Sequence, residues 1–251
     1  MRKIYLSLLA LPILCFIFLT ACQKDEELAS NNLTNQEDLD WRCNQNSKVY
    51  PPNAHPFGQS YDEWTEDWWT WLMAFDCASS PLNDPTGEYS GQNQSGPVYY
   101  LVGTMGGSAT RNVTIPHNKA ILSPMINIIN DYPCPDPNFQ PGPGQTLEEF
   151  LQEGAAAFID LADNLSVTLD GNEMTNEEDY RFPTDLFQFT GNPDLTNCLD
   201  PCVTGTPQDA VSDGYWMMLK KLHRGSHILH FYAEVPVYGF VVDVTYNITI
   251  P

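Results

Sequence analysis

The chain has 251 residues with 11 Lys+Arg against 32 Asp+Glu, a formal charge of −21, and such a balance argues against holding nucleic acid by its phosphates or adhering electrostatically to an anionic membrane. With 42% hydrophobic and 12% aromatic residues it is not a disordered chain. Its 20 Pro and 16 Gly, beside only 17% charged residues, mark a loop-rich, extracellular style of domain.

The N-terminus reads as an address. Arg2 and Lys3 precede an apolar run over residues 4–19, which ends in Leu19-Thr20-Ala21-Cys22. Pro12 and the small residues before a cysteine favour cleavage over a permanent span. The tetrapeptide resembles the bacterial lipobox, which implies that residues 1–21 are a signal peptide and that Cys22 is lipidated. An ordinary cleaved signal would leave Cys22 unexplained. The following Gln23-Lys24-Asp25-Glu26-Glu27 resembles the acidic surface-export signal of Bacteroidota lipoproteins. That resemblance implies an outer-membrane anchor with the body facing outward, the membrane being reached through lipidated Cys22. Without Arg2 and Lys3 the mature charge is 9 − 32 = −23. Residues 22–40, polar and acidic, form a flexible tether, and residues 41–251 are long enough for a single domain.

Tryptophans organise that domain. SYDEWTEDWWTWLMAF, residues 60–75, puts Tyr61, Trp64, Trp68, Trp71, Leu72 and Phe75 on one face of a helix, with Asp62, Glu63, Glu66 and Asp67 elsewhere. Ser60 and Glu63 have capping-box spacing. Trp69 projects about 140° from Trp64 and so reads as outward. A Gly/Ser/Pro/Asn-rich loop covers residues 78–97, followed by short strands at 98–102, 112–115 and 119–122. After a proline-rich loop at 131–145, a second helix is expected over 146–164, with Thr146 and Glu149 again at capping-box spacing.

Asp170-Gly171 between residues 165–169 and 172–174 predicts a type I′ hairpin. Residues 184–190 give a further strand. From Ala210 the pattern is densely β, with strands at 215–219, 227–235 and 240–250 joined by turns at Arg224-Gly225 and 236–239. The last alternates strictly, Val242, Val244, Tyr246, Ile248 and Ile250 against Asp243, Thr245, Asn247 and Thr249. The fold class expected is mainly β with two helices, a single antiparallel β-sandwich or jelly-roll-like domain.

Beyond Cys22 the cysteines are Cys43, Cys77, Cys134, Cys198 and Cys202, an odd number in a chain expected to form disulfides. Cys198 with Cys202 could close a local loop, and Cys43 with Cys77 could tie the ends of the Trp helix. Zinc needs more thiols or histidines at close spacing.

The Trp helix, SDGYWMMLKKLHRGSHILHF at residues 212–231 and the terminal VDVTYNITI together resemble a set of exported bacterial proteins with a Trp-rich helix near the mature start. The resemblance supports one domain and implies no activity and no catalytic residues.

Recognisable nucleophile and phosphate motifs are absent: no Gly-x-Ser-x-Gly, no Gly-rich loop with Lys, no His-Glu-x-x-His. His227 and His230 fall on opposite faces of a strand and cannot chelate one ion. Glu173, Glu177, Glu178 and Asp179, near Asp170, read as a solvated acidic face without the EF-hand spacing. No metal or cofactor is therefore expected. Two constellations remain. His55, His117 and Asp213, in loops or at strand edges, would suit a general base and its orienting carboxylate if they converge, giving an anchored hydrolase or lyase. Trp69, Trp216 and Tyr99, with Tyr89, Asn93, Gln94 and Tyr100, would suit a platform for an extracellular glycan or envelope protein. Binding is the lead expectation, and neither constellation involves nucleic acid.

Overall fold

The structure, a computed structural model, describes residues 48–251 apart from Thr175. The expected signal peptide, Cys22, the tether, Trp41 and Cys43 lie outside the described residues. In chain order the elements are helix α1 (Tyr61–Met73), β1 (Val98–Tyr100), β2 (Gly107–Thr114), β3 (Ala120–Tyr132), helix α2 (Leu147–Ile159), β4 (Asp163–Leu169), β5 (Asn172–Glu173), β6 (Phe187–Phe189), β7 (Gln208–Leu219), β8 (Gly225–Val235) and β9 (Phe240–Ile250). They make the expected sandwich with two helices: one sheet in the order β1-β3-β7-β6, the other β2-β9-β8-β4-β5.

Both helices start where the capping boxes place them. Ser60 N–H donates to the Glu63 carboxylate at 2.8 Å, and Thr146 N–H does the same to Glu149. At the predicted hairpin, Asp170 and Gly171 both have positive φ, 57° and 76°, as a type I′ turn requires.

The parity of β7 sets the layers. Ser212 and Trp216 share a face. Trp69 Nε1 donates to Ser212 Oγ at 2.7 Å, and the Trp68 and Trp216 rings meet edge-to-face at 5.0 Å, so α1 covers that face. Val211 lies on the opposite face with Leu151 and Ala155 of α2. Met217 and Leu219 join Val167, Leu229 and Phe231 of the second sheet around a small internal cavity. The first sheet is thus sandwiched, with α1 on one side and α2 plus the second sheet on the other.

All four helix tryptophans are buried and every indole N–H has a partner: Pro56 O for Trp64, Leu101 O for Trp68, Ser212 Oγ for Trp69 and Gln92 O for Trp71. Aromatic side chains bury roughly 150–250 Å² each, which makes this helix a main contributor to the core.

Several sequence expectations need correction. Two of the strand pairings are parallel, β1 with β3 and β2 with β9, within an otherwise antiparallel sandwich. Residues 215–219 and 227–235 are not hairpin neighbours: β7 and β8 belong to different sheets, and the link between them buries Leu222 in the core. The strand expected over 119–122 runs on to Tyr132, through Pro124, by way of a bulge between Pro124 and Ile126. Gly214 faces that bulge. A Cβ there would lie 2.6 Å from the Ile126 carbonyl oxygen, so only glycine fits.

The disulfides also differ. Cys77 pairs with Cys198, and Cys134 with Cys202. Neither expected pairing forms, because the 198–202 loop folds down against β7 and meets two distant segments instead of closing on itself.

Candidate functional site

The β1/β3 ladder shows how a cleft opens in this sandwich. Its bonds include Ala120 N–H to the Pro97 carbonyl and Leu101 N–H to the Leu122 carbonyl, at 2.9 Å each. A parallel ladder steps by two residues, so the next bond would run from residue 124 to the Leu101 carbonyl. Residue 124 is proline and has no N–H. The orphaned Leu101 carbonyl accepts instead from Trp68 Nε1 at 2.7 Å.

Beyond this point the two strands part. Buried Arg111 draws the chain after β1 towards the second sheet: its Nη1 donates to the carbonyls of Val102 and Gly103 and to the Tyr246 hydroxyl, all at 2.9 Å, while Nε reaches the Asp84 carbonyl at 2.7 Å.

A cleft of about 340 Å³ fills the fork, a size within the range of ligand sites. Trp69 and Leu72 of α1, Met105, Phe158 of α2 and Phe240 of β9 line it. Thr104, Asn127 and Asp200 are the polar residues of its wall, and Asp200 is the one charged residue there. Asn127 Nδ2 is buried without a hydrogen-bond partner, a state it shares among the described residues with Trp216 Nε1. Met105, half exposed at 52%, sits at the mouth, where an unbranched thioether adapts readily to a guest.

Leu199 and Asp200 are held from both sides, since Cys198 is bonded to Cys77 and Cys202 to Cys134. Under Asp200 lies Asp131, 2% exposed, which accepts from Gln208 Nε2. Burial, followed by the neighbouring charge of Asp200, pushes the Asp131 carboxyl up to about 8. Asp131, Asp200 and Cys202 bring possible ligand atoms within 4.8 Å of one another. The sulfur is committed to a disulfide, so it offers no thiolate to a metal.

The residues singled out in the sequence are scattered. His55 is exposed before α1, and His117 is exposed in the turn before β3. Asp213 lies opposite Ile128 on β3, which at strand rise is roughly 25 Å from the His117 turn. It is buried under Arg181, whose Nη2 lies 2.6 Å from its Oδ2 and whose Nη1 reaches Asp160. That pairing gives Asp213 a structural partner on its own strand layer, and no histidine joins it.

Of the proposed aromatic platform, Tyr99 and Trp216 are core residues, 2% and 0% exposed. Trp69 is not outward either, at 6% exposed, yet it lines the cleft. The helical wheel misplaced it because α1 has partners on more than one side, the sheet at Ser212 and loops at Pro56 and Gln92. His227 and His230 pair separately with Asp170 and Asp243, at 2.9 Å each.

Pro124, Asn127, Arg111 and Asp200 were not singled out in the sequence. The available signal was Pro124 inside the apolar run AILSPMINII, since proline within a strand belongs at an edge or a bulge.

No protein-family model, curated protein or solved structure matches this chain.

Proposed function

We propose that this chain is a lipid-anchored protein of the bacterial outer membrane, facing outward, which holds an extracellular ligand in the fork between β1 and β3. The observation that carries the proposal is the cleft itself: about 340 Å³, walled largely by aromatic and aliphatic side chains with a few convergent polar groups. That is the composition of a binding site. The lipobox-like Leu19-Thr20-Ala21-Cys22 and the acidic tether supply the anchor. The two disulfides fit an oxidising compartment. A glycan or another envelope protein is the ligand class this location offers.

Two measurements test the proposal. Cys22→Ser should move the protein from the membrane to the soluble fraction, and protease added to intact cells should reach the wild-type body. An array of glycans and envelope proteins should yield saturable binding that Thr104→Trp, which fills the cleft from its rim, removes without unfolding. Membrane retention of the Cys22 variant overturns the anchor. Binding indifferent to Thr104→Trp overturns the cleft.

A further inference from the structure

The wall of the cleft contains a free sheet edge. The Gly214 and Ser212 carbonyls accept from Phe182 and Thr184, at 2.9 and 2.8 Å, on the side of β7 away from β3. The alternate residues Asp213 and Tyr215 therefore turn their peptide groups towards β3. They lie opposite Ile128 and Ile126, so those two face β7 in return. Asn127 and Ile129 then direct both N–H and C=O outward, into the space β1 has left. Among the described residues, the bond from Leu101 to Leu122 is the last backbone bond across that edge. Consecutive residues Asn127, Ile128 and Ile129 all line the cleft, as expected of a strand presented edge-on.

Resting on the binding proposal above, we infer that the ligand is an extended polypeptide segment, which enters the fork as an added strand on β3. Its backbone pairs with Asn127 and Ile129, and an apolar side chain occupies the space among Trp69, Leu72 and Phe240. Main-chain bonds supply affinity in this mode, and pockets for alternate side chains supply selectivity. The edge from Asn127 to Ile129 spans about 7 Å, or three residues of strand. The unpartnered Asn127 Nδ2 is placed to donate to a carbonyl of the incoming segment. Asp200, in a chain of net charge −21, rejects an acidic residue at the same point. An extended glycan has no regular series of amide donors and acceptors to answer the edge.

The test is affinity selection of the intact exported protein against a degenerate library of N-acetylated, C-amidated hexapeptides. Enriched peptides should be apolar and poor in Asp and Glu. Methylating alternate backbone nitrogens of an enriched peptide should weaken it at least tenfold while keeping every side chain. Hydrogen exchange should show the amides of Asn127 and Ile129 slowed by the peptide and that of Ile128 unchanged. Equal binding by the methylated peptide, or no slowing at Asn127 and Ile129, overturns strand addition. Absence of any enriched peptide overturns the peptide class. The cleft proposal still stands if a glycan or small molecule then binds in a manner blocked by Thr104→Trp, and falls if nothing does.

Discussion

Trp69 and Ser212 are joined by a 2.7 Å hydrogen bond from indole Nε1 to Oγ, spanning 143 positions of sequence. It fastens the cleft wall of α1 to the centre of the first sheet. Ser212 is fully buried, so no water replaces it. Ser212→Ala leaves the indole donor unsatisfied and should destabilise the protein by about 1–3 kcal/mol, read as a lower urea midpoint with an unchanged m value.

Pro124 is the device that opens the fork, and its removal should close it. Pro124→Ala restores an N–H able to compete with Trp68 Nε1 for the Leu101 carbonyl. The expected result is a new amide at position 124 that is protected from hydrogen exchange, and weaker ligand binding, with thermal stability equal to or above wild type. Rapid exchange there, with binding intact, would mean that Arg111 alone keeps the strands apart.

Arg111 is 1% exposed and serves four acceptors with one planar group. Lysine has the charge but not the fork geometry. Arg111→Lys should therefore strand several buried carbonyls and lower stability by about 3 kcal/mol or more. It should also loosen residues 102–105, seen as faster amide exchange on the Met105 side of the cleft.

Stability should decline on the alkaline side. Asp131 is pushed up to about 8, chiefly by burial and then by Asp200, and Glu66 to about 7, by burial and by Asp62, Asp67 and Glu63. Each binds its proton more tightly folded than unfolded. Their contribution is fully present below the ordinary carboxyl range near 4 and is lost as pH rises through 7 to 8. Opposing groups act only at the acid end, where Asp84 and Asp170 are held below the usual range. The thermal midpoint should thus be higher at pH 5.5 than at pH 8, and Asp131→Asn should flatten that difference. A midpoint that rises from pH 5.5 to 8 in the wild type would contradict the assignment.

Local features were legible in the sequence and long-range ones were not. Capping boxes, the Asp170-Gly171 hairpin and the alternation of β9 are set by neighbouring residues, and each formed as expected. Strand order is different: β7 and β8 look like a hairpin from spacing alone, yet Met217 and Leu229 end up on facing sheets. The wheel identified the buried face of α1 and misjudged Trp69, because periodicity assumes one partner layer and this helix has more. The loop histidines drew notice by residue type, while the cleft is built from a missing N–H at Pro124 and from backbone groups, which composition does not display. Disulfide connectivity depends on how loops return to one another, and spacing carries no trace of that.

The paired staples at Cys198 and Cys202 give the molecule a sense of time. The short wall between them is tied to the rest of the molecule at both ends by these bridges, the longer one reaching back 121 residues. A chain held in a reducing cytosol would lack both, leaving Leu199 and Asp200 tied through local backbone bonds to Leu195, and that side of the fork would be less firmly set. Readiness to accept a guest would then arrive with oxidation rather than with translation. Under the export and peptide binding proposed above, cellular polypeptides would meet only the unfinished fork, and the finished one would form after the chain has left the cytosol.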